Sequence, residues 1–142
     1  MIEHINSNNS VLAILIRQSF RAEGIKFLTP NNYSQQLGYM NRPQGYQIQP
    51  HIHNKIPREV HFTNEVLFIK SGTVRVDFYD EDKLYVGSKI IITGDILLLV
   101  SGGHGFEMIE DSEIIEVKQG PYAGDEDKTH FRAASTCQIK LI

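Results

Sequence analysis

Three histidines and one glutamate are spaced so that they could bind a metal ion. His51 and His53 stand two residues apart in the segment that starts at Gly45, where strand alternation would direct both side chains to one face. Glu65 begins an apolar run, and His104 lies in a glycine-rich segment. Neutral imidazoles with one carboxylate suit a divalent transition metal such as Mn, Fe, Ni or Zn, and contain too much nitrogen for Mg or Ca. The pattern therefore predicts a transition-metal site.

Such a ligand set would leave the metal partly open. An octahedral ion held by four protein ligands keeps two positions for water or for a bidentate substrate, and an open position distinguishes a catalytic metal from a structural one. The metal could then act as a Lewis acid on an oxygen atom or bind O₂. The residues do not choose among the metals.

The elements around these residues have the pattern of β-strands. Val74, Val76 and Phe78 alternate with polar residues, as expected for a strand with one buried face. Further short apolar segments are separated by glycine, proline or acidic turns, which is typical of an antiparallel sandwich or barrel. These segments are 65–71, 84–86, 90–93, 96–100, 106–109 and 114–118.

The first forty residues have a weaker pattern. Residues 11–29 are expected to form two strands around a turn at 22–24, because β-branched and aromatic residues flank Gly24. Asn31 and Asn32 could cap a short helix over 31–40, or this segment could be a turn.

The chain resembles the cupin family over most of its length. The first cupin motif is matched by Gly45, His51, His53, Glu65 and Gly72, and the second by Gly94 and His104. Eleven residues separate His53 from Glu65, more than is usual in the family, which indicates an inserted loop at 54–58. In the second motif Val100 replaces the usual proline, and Met108 stands where asparagine is common. Segments 35–40 and 116–122 also resemble small cupins found with polysaccharide and sugar-nucleotide genes.

The resemblance implies a cupin-type double-stranded β-helix, an all-β jelly-roll β-barrel, in one domain over residues 1–142. The core would span about residues 11–131, followed by a loosely tied tail at 132–142. His51, His53, Glu65 and His104 would be the metal ligands. The implied function is metal-assisted isomerase, epimerase or lyase chemistry on a small oxygen-rich molecule, such as a sugar or sugar acid.

Other functions remain open at this point. The chain could be a non-catalytic cupin that binds a sugar and regulates other enzymes, or an iron-dependent dioxygenase. It could also use its histidines as acid and base without metal. The resemblance also implies a homodimer, because small cupins often dimerise, with the apolar N-terminal strand as the candidate interface.

Other residues are candidates for the site. In an alternative register, His61 shares a strand face with Glu65, and Glu59 with His61 would replace His51 and His53 as ligands. No catalytic acid or base is identified, and His61 and Tyr39 are the candidates. Candidate substrate-binding residues are Gln36, Gln47, Gln49 and Arg58.

Other ionisable residues are expected to have ordinary roles. Arg17 and Lys118 are cations that could hold a phosphate or carboxylate. His4 and His130 lie outside the predicted strands, and the acidic run at 125–127 is expected to be solvated.

Composition limits the remaining function classes. The net charge of −3 comes with no basic stripe, which argues against nucleic acid as a partner. A single cysteine, Cys137, allows no disulfide within the chain. The polar N-terminus resembles no signal peptide, and the longest apolar runs are far below the roughly 20 residues that a membrane helix needs. A cytoplasmic protein without membrane contact is expected.

Overall fold

The computed structural model describes residues 1–142 and contains ten β-strands, with 3₁₀ turns at Gly124–Asp127 and Thr136–Gln138. The strands are β1 (Ile2–Ser7), β2 (Ser10–Ile16), β3 (Gly24–Phe27), β4 (Gly38–Asn41), β5 (Glu65–Ser71), β6 (Thr73–Tyr79), β7 (Tyr85–Ile92), β8 (Ile96–Leu99), β9 (Gly103–Met108) and β10 (Glu113–Lys118). All ladders between them are antiparallel. The predicted all-β class is confirmed.

The chain forms two compact units. Residues 1–20 and 62–142 make the larger unit, which contains a five-stranded sheet in the order β1-β2-β8-β5-β10 and a three-stranded sheet in the order β7-β6-β9. Residues 21–61 make the smaller unit, which contains the β3–β4 hairpin. The single domain over 1–142 stays a prediction. No helix has the length and apolar character needed to cross a bilayer.

One hydrophobic core joins the two sheets of the larger unit. Val74, Val76 and Phe78 of β6 are at most 1 % exposed, as their alternation predicts. They pack with buried side chains from strands of both sheets, including Leu12, Ala13, Leu15, Leu67, Ile69, Ile91, Leu97 and Leu99. Because both sheets contribute to one core, the arrangement is that of a β-sandwich.

Most predicted strands of the larger unit are observed, with two differences. The two predicted apolar segments 84–86 and 90–93 are joined in one strand, β7 (Tyr85–Ile92), because Gly87 and Ser88 pair with Phe78 and Asp77 of β6; a β-bulge lies next to them at Val86. The N-terminal residues form β1, which the sequence pattern did not predict, so the placement of His4 outside the strands was wrong. His4 lies opposite Ile14 of β2 and is exposed.

The strand predicted over Gly45–His53 is absent. Residues 42–64 contain no strand, and the alternation of polar and apolar side chains there is found on exposed backbone. A strand needs a partner for its backbone amides and carbonyls, and Pro43 and Pro50 lack the amide hydrogen needed to donate. The shared strand face of His51 and His53 was therefore wrong.

The segment 31–40 is a turn followed by β4, and contains no helix. The Gln36 amide nitrogen donates to the carbonyl oxygens of Pro30 and Tyr33 at 2.9 and 3.0 Å. The Thr29 hydroxyl donates to the Gln36 side-chain oxygen at 3.2 Å. The two bonds from the Gln36 side chain satisfy backbone carbonyl groups within the turn and so favour it over a helix.

The C-terminal residues are tied to the larger unit, contrary to the expected loose tail. Ser88 donates its backbone amide to Lys140 at 2.8 Å, and Ile142 donates to Ser88 at 3.0 Å. The Ala134 amide donates to the Tyr79 hydroxyl at 3.0 Å. A Cβ on Gly87 would lie 2.7 Å from the Ile142 side chain. The absence of a side chain at Gly87 therefore makes room for the tail.

Candidate functional site

Glu65 is the first residue of β5, and its position is fixed by the residue before it. The Asn64 side chain is buried and donates to the carbonyl oxygens of Leu99 and Val100 at 3.4 and 2.9 Å. These two hydrogen bonds connect the start of β5 to the end of β8. Glu65 stands opposite Leu99 in that pair and is half-buried.

His104 comes from the other sheet. It is the second residue of β9, so its predicted place within a glycine bend was wrong; the bend precedes it at Gly102, whose φ is +68°. A Cβ on Gly102 would lie 2.3 Å from the Tyr79 carbonyl oxygen, so glycine is needed there. The His104 Nε2 atom lies 3.1 Å from Glu65 Oε2. Two of the four predicted metal ligands are therefore in direct contact.

Lys118 and Asp127 extend this pair. Lys118 of β10 stands opposite Glu65 of β5, with its Nζ 3.7 Å from Glu65 Oε1 and 2.5 Å from Asp127 Oδ2. The Thr63 hydroxyl donates to the other Asp127 oxygen at 3.0 Å. The prediction that residues 125–127 are all solvated was wrong for Asp127, since only 14 % of its side chain is exposed. Lys118 binds carboxylates of its own chain.

Glu65, Lys118 and Asp127 are held in their charged states by their neighbours. The hydrogen bond from His104 lowers the pKa of the Glu65 carboxyl, burial opposes this shift, and the positive charge of Lys118 adds to it. The hydrogen bond to Asp127 raises the pKa of Lys118. The hydrogen bonds from Lys118 and Thr63 lower the pKa of Asp127. Near neutral pH the site therefore holds two carboxylates and an ammonium beside an imidazole.

His51 and His53 lie in the smaller unit, close to each other. Their ring centroids are 5.2 Å apart with an edge-to-face orientation, and both side chains are exposed. His51 Nδ1 lies 3.0 Å from the Gln49 carbonyl oxygen, which can only accept, so Nδ1 carries the proton. In the neutral ring this leaves Nε2 as a lone-pair donor. Their role as ligands stays a prediction.

The alternative ligands are placed differently. Glu59 and His61 belong to the smaller unit, are exposed, and have a carboxylate oxygen 3.4 Å from Nε2. Because β5 begins at Glu65, His61 does not share a strand face with it, and that part of the alternative was wrong. No group of three or more His, Cys, Asp or Glu side chains is arranged as a metal site in this structure.

The candidate substrate-binding residues fall into two places. Gln36 and Arg58 both line an open depression formed by residues 31–34, 36 and 58–60. The side-chain amide of Gln36 already donates hydrogen bonds to carbonyl groups of its own turn. The side chain of Arg58 is exposed. Gln47 and Gln49 lie on the exposed backbone between β4 and β5, and Tyr39 is half-buried on β4.

Arg17 has a structural role rather than a ligand-binding one. Its guanidinium pairs with Glu3 Oε1 at 2.5 Å and with Asp95 Oδ2 at 2.9 Å, and also donates to the Ile90 carbonyl oxygen at 2.8 Å. Asp95 is fully buried and additionally accepts from the Gln18 and Ile92 amides. The group joins β1, β2 and β7 to the turn before β8.

The Glu65 and His104 donor atoms are close enough to be two ligands of one metal ion, were one bound. Two ligand atoms bound at right angles to a metal, with bonds of about 2.1 Å, are about 3.0 Å apart. The 3.1 Å between Glu65 Oε2 and His104 Nε2 is the length of an ordinary hydrogen bond and is also close to that separation. Metal would replace the proton on Nε2 that now joins the two atoms.

Sequence reasoning missed Thr63 and Asp127, and undervalued Lys118. Lys118 could have been placed beside Glu65 only from the register of β10 on β5, which no local pattern gives. Asp127 reaches the site from the 3₁₀ turn Gly124–Asp127, and nothing distinguishes it in sequence from Asp125 and Glu126.

Comparisons with protein-family models, with curated proteins and with solved structures found no match to this chain.

Proposed function

We propose that this chain is a cupin-type, metal-dependent enzyme that acts on a small oxygen-rich molecule such as a sugar or sugar acid. The observation that carries the proposal is the meeting of Glu65 and His104, one from each sheet, at the distance of two neighbouring ligands of one metal ion. The reaction class is metal-assisted isomerisation, epimerisation or lyase chemistry. His51 and His53 stay the further predicted ligands.

The chain's own residues would prepare the site. Glu65 is ionised by its neighbours and offers a carboxylate oxygen, and His104 is oriented by that carboxylate. A divalent metal bound there supplies a Lewis acid that polarises a substrate oxygen. The raised pKa of Lys118 keeps its ammonium protonated, so Lys118 acts as a fixed positive charge and is a poor proton donor. Proton transfer stays with the predicted candidates His61 and Tyr39.

Metal analysis of purified protein tests this proposal. Protein purified without chelator should contain near-stoichiometric transition metal by inductively coupled plasma mass spectrometry. Glu65→Ala and His104→Ala should lose it, as should His53→Ala, with circular dichroism unchanged. His4→Ala is the matched control, because His4 is also a strand histidine but lies on β1, at the opposite edge of the five-stranded sheet from β10.

The outcomes separate the functions. Full metal retention in both Glu65→Ala and His104→Ala would overturn the site. Protein that stays free of metal after incubation with Mn, Fe, Ni and Zn salts would overturn the metal dependence, and would favour a metal-free acid–base site or a non-catalytic sugar-binding protein. Iron together with O₂-dependent turnover would favour the dioxygenase.

A further inference from the structure

Lys118 places a positive charge beside a proposed metal ligand. It stands opposite Glu65 in the β5–β10 pair, and its Nζ contacts two carboxylates, at 3.7 Å from Glu65 Oε1 and 2.5 Å from Asp127 Oδ2. The other oxygen of Glu65 lies 3.1 Å from His104 Nε2. The carboxylate that we propose as a metal ligand is therefore already paired with a cation of its own chain.

These charges are partly shielded from solvent. The exposed fraction of the side chain is 14 % for Glu65, 14 % for Asp127 and 27 % for Lys118. Partly buried charges are screened by salt much less than charges on the open surface. The positive charge of Lys118 therefore acts on any second cation that approaches Glu65.

Lys118 and a divalent metal ion would compete for the same carboxylate. A metal bound to a carboxylate oxygen lies about 2.1 Å from it, and the Lys118 ammonium already lies 3.7 Å from Glu65 Oε1. An ammonium and a divalent cation about 5 Å apart repel each other even in water, by an energy equivalent to about tenfold in affinity. The ammonium therefore has to move away when a metal binds, or it weakens the binding.

Asp127 is the second carboxylate that Lys118 neutralises. Its Oδ1 atom accepts from the Thr63 hydroxyl at 3.0 Å, and its Oδ2 atom contacts the Lys118 ammonium. Loss of the ammonium would remove the partner of Oδ2, while Thr63 would still hold Oδ1. The two carboxylates on either side of Lys118 would then be free to share another cation. Carboxylate oxygens together with the His104 imidazole suit a divalent transition metal.

Another lysine on the same two strands offers an internal comparison. Lys70 of β5 pairs with Glu113 of β10 at 3.0 Å, so it forms the same kind of cross-strand ion pair as Lys118. Its side chain is 54 % exposed and that of Glu113 is 63 % exposed. Exposed pairs of this kind contribute little, because water and salt screen them. The Lys70 pair therefore lacks the partly buried setting that gives Lys118 its effect.

We propose that Lys118 is a built-in competitor of the metal ion: its ammonium pairs with Glu65 and Asp127 and thereby lowers the affinity of the site for divalent cations. When the ammonium is removed, Asp127 joins Glu65 and His104 as a metal ligand. This inference rests on the proposed function, because it concerns the affinity of the same site. The direction of the effect is distinctive, since removal of a lysine with only a structural role would weaken metal binding.

Zn²⁺ titration of the Lys118→Met variant tests the competition. Methionine is flexible and unbranched like lysine but carries no charge. Isothermal titration calorimetry should show about tenfold tighter Zn²⁺ binding than in wild type, and Zn²⁺ should raise the Tm of the variant by more. Lys118→Arg keeps the charge and should not bind more tightly than wild type. Lys70→Met is the matched control and should bind as wild type does.

The ligand role of Asp127 is tested in the Lys118→Met background. A residue that acts only by holding Lys118 would have no effect on metal binding once Lys118 is gone. As a ligand, Asp127 should matter there, so Lys118→Met/Asp127→Asn should bind Zn²⁺ at least about tenfold more weakly than Lys118→Met. Equal affinities of these two variants would overturn the ligand role. Thermal melting shows that each variant is folded before its affinity is compared.

The two proposals can fail independently. Metal binding by the wild type that is unchanged or weaker in Lys118→Met would overturn the competition and leave the proposed metal site standing. Zn²⁺ binding by Lys118→Met, with none by the wild type, would support the competition and remove the metal dependence of the native protein. Absence of Zn²⁺ binding in both proteins would overturn both proposals.

Discussion

At the scale of single residues, Asp127 determines where the Lys118 ammonium lies beside Glu65. The Lys118 ammonium lies 2.5 Å from Asp127 and 3.7 Å from Glu65, so its main hydrogen-bond partner is Asp127. An ammonium that moved onto Glu65 would occupy the carboxylate and repel a divalent cation. Asp127 therefore keeps Glu65 available.

Replacing Asp127 by asparagine should weaken metal binding. Without the Asp127 carboxylate, the Lys118 ammonium would pair with Glu65, and we expect the affinity for Zn²⁺ to fall by about tenfold, as is usual when a neighbour of a metal ligand is changed. Isothermal titration calorimetry measures this directly. Glu126→Gln removes an exposed carboxylate from the same turn and should have no effect. Equal affinities in the two variants would contradict the role of Asp127.

A second ionic group stabilises the sandwich away from the site. Asp77 is buried and accepts from Arg75 Nε at 2.8 Å and from the Ser88 hydroxyl at 2.5 Å. Burial raises the pKa of the Asp77 carboxyl, but the hydrogen bonds from Arg75 and Ser88 outweigh it, and the net shift is downward. The folded pKa is thus below the unfolded one. This stabilisation is present above the unfolded pKa and is lost as the pH falls through the folded pKa.

The Asp77→Asn variant should be less stable at neutral pH by about 2 kcal/mol, because charged hydrogen bonds are lost. The stability difference between variant and wild type should narrow as the pH falls below the pKa range of carboxyl groups. Asp77 of the wild type is then protonated in both the folded and the unfolded state. Urea unfolding over a pH series measures both. Asp82→Asn, at an exposed turn residue, should show no pH-dependent difference. A constant difference at all pH values would argue against the ionic role.

At the scale of elements, two turns pack against each other and set where β6 begins and β9 ends. The β5–β6 turn contains Gly72, whose carbonyl oxygen accepts from the Thr93 amide at 3.1 Å. The carbonyl oxygen of the next residue, Thr73, accepts from the Ile109 amide at 2.9 Å, in the β9–β10 turn. A Cβ on Gly72 would lie 2.2 Å from Ser112 Oγ and 2.4 Å from the Asp111 carbonyl oxygen. The turns fit only because position 72 has no side chain.

Gly72→Ala should therefore be strongly destabilising. Its φ of +87° disfavours any residue with a Cβ, and the clash with the 111–112 backbone adds to that strain. We expect a loss of about 2 kcal/mol or more in the free energy of unfolding, measured by urea denaturation. Gly105→Ala is the control, because its Cβ would meet nothing within 4 Å and its φ is not positive. Similar stability of the two variants would refute this account of the turn.

At the scale of the larger unit, the C-terminal residues close one side of the three-stranded sheet. The Tyr85 hydroxyl accepts from the Lys140 amide at 2.9 Å and lies 2.6 Å from Ser88 Oγ, which in turn donates to Asp77. Leu141 forms a parallel bridge with Ser88 of β7. The tail is thus connected through hydrogen bonds to a buried carboxylate.

Removal of residues 134–142 should lower stability without unfolding the sandwich. At about 1 kcal/mol for each lost hydrogen bond, the amide bonds of Ala134, Ser88, Lys140 and Ile142 together predict a loss of about 4 kcal/mol. Urea denaturation of the shortened protein measures it. Cys137→Ala, which changes an exposed side chain within the same segment, should be close to wild type. A shortened protein with wild-type stability would show that the tail does not contribute.

The all-β class and many of the strands can be predicted from the sequence, because alternation follows from the geometry of a strand with one buried face. Thr73–Tyr79 and Ile96–Leu99 are where their apolar patterns predict. The same local pattern failed over 45–53, because alternation gives a strand only when another strand is beside it to accept and donate hydrogen bonds. The glycines around His104 also led to the wrong prediction of a bend at that residue, which lies on β9.

The contacts of the candidate site were decided by the tertiary structure alone. Residue types pointed to Glu65 and His104 as ligands, but their 3.1 Å separation depends on two sheets packing across one core. The partnership of Lys118 with Glu65 depends on the register of β10, and that of Asp127 on the path of the chain after it. The side chain determines which chemistry a residue can do, whereas its neighbours in space depend on long-range packing that no local sequence pattern predicts.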